Sequence, residues 1–234
     1  MIHLLAILVI LPAAGLVVFD LGSRNRAAGA LTFGWFLLGS ALAFTPFYTD
    51  HFKDFPPLPV KFSAGWLAIL ILSFCFKPIQ KLWDSIPTGR LVLWHWARAP
   101  IGLCFILAAA RGELAPQFGQ RAGWGDLLSG LFALAYAASP LLRTKGLTLL
   151  WTLFGAADLL TAVGTAAVTV NSPIQIYPYG DQMRMMLDFP FLMIPILFVP
   201  TLLFTHGLIL GRVCGLKAVG VTQSKKIRPS TDAV

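Results

Sequence analysis

The chain has 234 residues, of which 57% are apolar and only 12% charged, and its mean hydropathy is +0.75. A soluble domain carries roughly a quarter charged residues, and half that share cannot cover a surface of this size. Disorder is excluded too, because unfolded chains are poor in large apolar side chains and this one holds 18 Phe and 7 Trp. The composition points to an integral membrane protein whose first partner is the lipid bilayer.

A crossing helix needs about 20 mostly apolar residues. Seven segments meet or approach that length, at 2–19, 28–47, 62–76, 91–110, 123–142, 147–170 and 189–210. The expected fold class is therefore an all-α polytopic transmembrane bundle of seven spans, one domain over 1–216 with a polar basic tail over 217–234 that is expected to be disordered. The first segment carries Ala13-Ala14-Gly15, like a signal cleavage site, but lacks the positive start of a secretory signal, so it is expected to be a retained helix. The third is short, and Lys61 and Lys77 extend it by snorkelling to the interface. The fourth contains His95 and Arg98. The fifth has Asp126 near its start and is the least apolar, the sixth carries Asp158 in its middle, and the seventh holds His206.

The net charge of +8 would suggest nucleic acid in a soluble chain. Here the loops after spans one, three and five, with the tail, hold twelve basic residues: Arg24, Arg26, Lys77, Lys81, Arg90, Arg143, Lys145, Arg212, Lys217, Lys225, Lys226 and Arg228. The opposite loops hold Lys53, Lys61, Arg111, Arg121 and Arg184. The bias predicts an outside N-terminus and a cytoplasmic C-terminus, and it accounts for the basic charge without a nucleic-acid partner.

An ionisable side chain inside a span costs on the order of 2.5 to 3.5 kcal/mol and marks a candidate site. At 1.5 Å per residue, His95 lies roughly 7 Å and Arg98 roughly 12 Å in from the cytoplasmic side, His206 roughly 8 Å and Asp158 roughly 16 Å. His95 and Arg98 share a face by their i, i+3 spacing. The four are expected to form a polar pocket or relay, with Arg98 and Asp158 paired and the histidines contacting a proton or a small-molecule ligand. The structural alternative is a clamp between spans four and six with hydrogen-bonded histidines. Pro195 and Pro200 each remove a backbone bond in span seven and should leave carbonyls near Phe191 and Ile196 in need of partners, as a hinge or a fixed kink.

No cofactor is expected. A low-ranked alternative is a b-type haem between His95 and His206, with His3 and His51 at the other side, in an electron-transfer protein. A further alternative is a structural subunit of a membrane complex. Met183, Met185 and Met186, with His51 or His3, offer soft ligands for Cu(I) but read better as interfacial packing. Cys75, Cys104 and Cys214 form no CxxC pair and are expected to be small buried apolar residues. HExxH, GxSxG, P-loop and GxGxxG motifs are absent, so the balance is against an enzyme, and span seven has no lysine for a retinal Schiff base.

The loop between spans four and five contains Glu113 and Asp126, with Asp126 suited to cap a helix start and the glycines suited to a tight turn. It reads Gly112-Glu113-Leu114-Ala115-Pro116, then Phe118, then Ala122-Gly123-Trp124-Gly125-Asp126. With Gly155 and Asp158 in the next span, and Pro195, Pro200 and His206 in the last, this pattern resembles an uncharacterised family of bacterial multi-spanning inner-membrane proteins over roughly the last 140 residues. That resemblance implies a bacterial cytoplasmic-membrane location and no particular activity.

Overall fold

The computed structural model describes residues 2–45, 47 and 56–215. His51, Lys53 and the tail over 217–234 lie outside them. The described residues form helices and turns, with no strand among them. Helix α1 (Ile2–Arg24) turns at Asn25, whose side chain accepts the Ala28 N–H at 3.1 Å, into α2 (Arg26–Ala43). Helix α3 (Leu58–Leu72) ends in a 3-10 turn and is followed by α4 (Lys77–Ser85), an amphipathic helix that buries Leu82 and Trp83. After Pro87, α5 (Thr88–Leu93) passes through a 3-10 turn at Trp94–Ala97 into α6 (Arg98–Ala110). Pro100 has no N–H to offer the Trp96 carbonyl, which favours the tighter winding just before it. Then come α7 (Pro116–Ala138), α8 (Lys145–Ala167), a 3-10 helix at Gly180–Leu187, a π-helical turn at Ile194–Phe198 and α9 (Val199–Val213).

Six of these stretches are long and apolar enough to cross a membrane: Ile2–Arg24, Arg26–Ala43, Leu58–Cys75, Thr88–Ala110, Lys145–Ala167 and Ile194–Val213. The surface agrees with a lipid environment. Leu8, Phe19 and Leu150 are 62%, 69% and 66% exposed, whereas Arg98 is 2% exposed and His95 fully buried. In water this arrangement is inverted; in hydrocarbon it keeps the polar groups inside the protein. The stretches Thr88–Ala110 and Ile194–Val213 are the innermost, with 67% and 61% of their apolar windows buried against 17% for α2 and α3. His95, Arg98 and His206 thus ride on the two most enclosed of these stretches.

Several local expectations are corrected. Regular helix in the last span begins at Val199, beyond Pro195, not at 189. The segment 116–126, expected to belong to a loop, is the first half of α7, started by Pro116 at its first turn. Asp126 is therefore no helix cap: it is buried at the eleventh position of that helix. The glycines there do not make a turn either. A β-carbon at Gly119 would lie 2.6 Å from the Ala109 methyl, and one at Gly123 2.9 Å from the Gly102 carbonyl. They let α6 and α7 approach closely, as small residues do between membrane helices. The turn glycine is Gly112, with φ of 72°. Cys104 is buried as expected, but Cys75 and Cys214 are exposed, because each falls just past a helix end.

Candidate functional site

Arg98 opens α6 directly after the 3-10 turn, where three residues per turn stack it over His95. Its guanidinium points inward and serves acceptors from three other elements. Nε donates to Asp126 Oδ1 on α7 at 2.6 Å, and Nη2 donates to Asp158 Oδ2 on α8. Nη1 faces the Gly155 carbonyl at 3.4 Å and His206 Nε2 on α9 at 3.3 Å. One planar fork spread over four acceptors needs the geometry of arginine and not the point charge of lysine.

Room for it comes from glycine. A β-carbon at Gly155 would sit 2.6 Å from the His206 ring and 3.1 Å from Arg98 Nη1, and one at Gly125 would collide with the Asp158 carboxylate. Gly155 and Asp158 are one helical turn apart, so the first admits the guanidinium and the second pairs with it.

The histidines continue the network. Thr205 donates its hydroxyl to the Leu202 carbonyl at 2.8 Å, so its oxygen accepts from His95 Nε2 at 3.0 Å. His206 Nε2 faces a permanent donor and must accept, which leaves the hydrogen on Nδ1. The remaining ring nitrogens are thus one acceptor, His95 Nδ1, and one donor, His206 Nδ1, and both are buried without a partner among the described residues. The two rings lie 4.3 Å apart between centroids, and Trp151 stands 4.9 Å from each.

These contacts bring together all four residues expected at the site, His95, Arg98, Asp158 and His206, and add Asp126, Gly155 and Thr205. Glu113 is exposed on the turn after α6 and makes none of these contacts. The Ile196 carbonyl, which Pro200 cannot serve, accepts from the Trp35 indole at 3.0 Å, and the Phe191 carbonyl accepts the Ile194 N–H at 2.9 Å. Met183, Met185 and Met186 are buried, and His3 packs its ring on Phe191. Among the described residues no group of three His, Cys, Asp or Glu gathers as metal ligands.

The residues do not fit a haem. An iron between two imidazoles needs two metal–nitrogen bonds of about 2 Å each and a gap for the macrocycle, but these rings touch, and each Nε2 already faces Thr205 or Arg98.

A second buried acid was not apparent from the sequence. Asp20 of α1 accepts Arg90 Nε at 2.7 Å, Nη2 at 2.9 Å and the Trp94 indole at 2.7 Å. Nearby, Arg212 donates to the carbonyls of Trp83 and Ile86 at 2.6 and 2.7 Å, and Arg24 to that of Ser85 at 2.9 Å. Arginines that read as topology markers thus also hold the end of α4.

The chain matches the family described as Domain of unknown function (DUF8737) over residues 55–214, more than half its length, and it belongs to that family. The matched stretch contains the whole Arg98 cluster. No curated protein and no solved structure matches the chain.

Proposed function

We propose that this DUF8737 member is a seven-span protein of the bacterial cytoplasmic membrane that binds, and passes, a proton or a small solute at the Arg98 cluster. The observation that carries the proposal is a count of charges. Asp126 and Asp158 converge on a single guanidinium, so with both acids ionised the cluster holds a formal charge of −1 inside the bundle. A buried charge without a partner costs several kcal/mol, and a bound proton or cation removes that cost. The two orphaned Nδ1 atoms, one donor and one acceptor, support a polar guest as well, since buried nitrogens seldom go without a partner.

The crossing that brings the six to seven is α7, the fifth in chain order. Its 23 residues span roughly 35 Å, and its contacts run antiparallel to α6: Gly130 meets Ala99, Gly123 meets Gly102 and Gly119 meets Ala109. Ser129 and Asp126 likewise meet the stretch of α8 and α6 that holds Trp151 and Arg98. An outside N-terminus follows the Lys and Arg count. Trp35 on the Ile196 carbonyl favours Pro195 and Pro200 as a fixed kink over a hinge.

The test is proton flux in vesicles carrying the purified protein and an enclosed pH dye, under an imposed membrane potential. Flux in the wild type that is lost in folded Asp158→Asn supports passage. Vesicles no leakier than empty ones, from protein whose two acids are both ionised, make the cluster a structural clamp.

A further inference from the structure

We infer that an apolar cavity beside the cluster binds a hydrophobic monocation, an amphiphilic amine whose nitrogen pairs with Asp126. The inference rests on the charge count above and adds the class of solute. The cavity, about 110 Å³, lies between the start of α3, α6, α7, α8 and the segment leading into α9. Phe105, Phe118, Leu159, Met186 and Pro195 form much of its wall, and Asp126 is the only charged residue on it among the described residues. Asp126 is 7% exposed. Its Oδ1 is taken by Arg98 Nε, while Oδ2 makes no hydrogen bond to a described residue. Val163, 40% exposed on the lipid-facing side of α8, stands at the margin of the cavity, so the head group of a guest can enter from the bilayer while the rest of its tail stays in lipid, as a cavity of this size requires.

Charge selects the guest. An acyl chain or a neutral apolar ligand would fill the walls but leave the free oxygen unpaired and the unbalanced acid of the cluster protonated. An anion would add like charge beside the ionised carboxylate of the cluster. An amine crosses the bilayer neutral, takes the proton from the carboxylic acid as the O–H bond breaks and an N–H bond forms, and remains as an ammonium paired with a carboxylate. Total charge is unchanged, and the new hydrogen bond is charge-assisted.

Calorimetry on the protein in lipid nanodiscs, with N,N-dimethyloctylamine, 1-octanol and octanoate as probes, tests this. The amine should bind saturably and about tenfold or more tighter than the alcohol, as a charge-assisted bond requires, and octanoate should not bind. Asp126→Asn should abolish that preference, and Ala166→Leu, which narrows the wall, should weaken the amine. Equal binding of alcohol and amine, no saturable binding, or amine binding unchanged in Ala166→Leu would each overturn the inference. The Ala166→Leu comparison holds even where Asp126→Asn fails to fold. The infrared carbonyl band of a protonated carboxylic acid separates the two proposals: a band in the resting protein with no amine binding leaves the proton site standing and removes the amine.

Discussion

Among the described residues, two sites pair arginine with a buried carboxylate; they share chemistry and differ in balance. Asp20 and Arg90 meet one to one through two parallel hydrogen bonds, with the Trp94 indole completing the carboxylate and Arg90 34% exposed at its side chain. Arg98 meets two carboxylates at once and is 2% exposed. The first site is neutral and fully paired, as a staple between α1 and α5 needs to be. The second has one acid too many and orphaned histidine nitrogens at its edge. The sites also differ in reach. Asp20 lies outside the family-matched stretch and ties α1 to it, whereas every member of the Arg98 cluster lies within 55–214. Fixed structure in a membrane favours exact neutralisation; an excess charge requires something to arrive.

Mutations can break or sharpen that contrast. Arg98→Met should have the largest effect, about 3–5 kcal/mol, because it strands two buried carboxylates and the His206 nitrogen; unfolding midpoints in detergent would read it. Asp20→Asn should cost less, about 1–3 kcal/mol, since the amide oxygen still accepts the Trp94 indole and Arg90, which loses its ion pair, can turn to water. A similar loss for the two variants would erase the contrast. Gly155→Ala should cost about 1–3 kcal/mol by forcing His206 away from Arg98, visible as a changed histidine environment by NMR. Trp35→Phe should cost about 1 kcal/mol, the net worth of one hydrogen bond to the Ile196 carbonyl. Glu113→Gln, on an exposed turn, should stay within about 0.5 kcal/mol of the wild type in the same unfolding assay.

The contrast also explains what could be read from residues alone. Arg98, Asp158, His95 and His206 interrupt apolar runs, and in lipid each such interruption demands a reason, so their convergence was legible. Asp126 follows a stretch rich in Gly and Pro that reads as a loop, and Asp20 and Arg90 sit just past the ends of apolar runs, where charges read as topology. Gly119-x-x-x-Gly123 was the overlooked signal: its spacing marks a close helix–helix contact, which draws Asp126 into the bundle with α7. The unpartnered Nδ1 atoms depend on ring orientations that no spacing encodes. Six spans stood out by length and apolar content. The C-terminal part of α7 reads as the fifth and least apolar span, because its inward face carries glycines and an acid in place of large apolar residues.

The excess charge of the Arg98 cluster is measured most directly by infrared spectroscopy of the protein in lipid, with isotope-labelled aspartate and no amine present. A protonated carboxylic acid should appear at neutral pH in the wild type and vanish in Asp158→Asn, where Arg98 and Asp126 balance one to one. A wild-type spectrum containing ionised carboxylates alone, unchanged in kind by Asp158→Asn, would contradict the account.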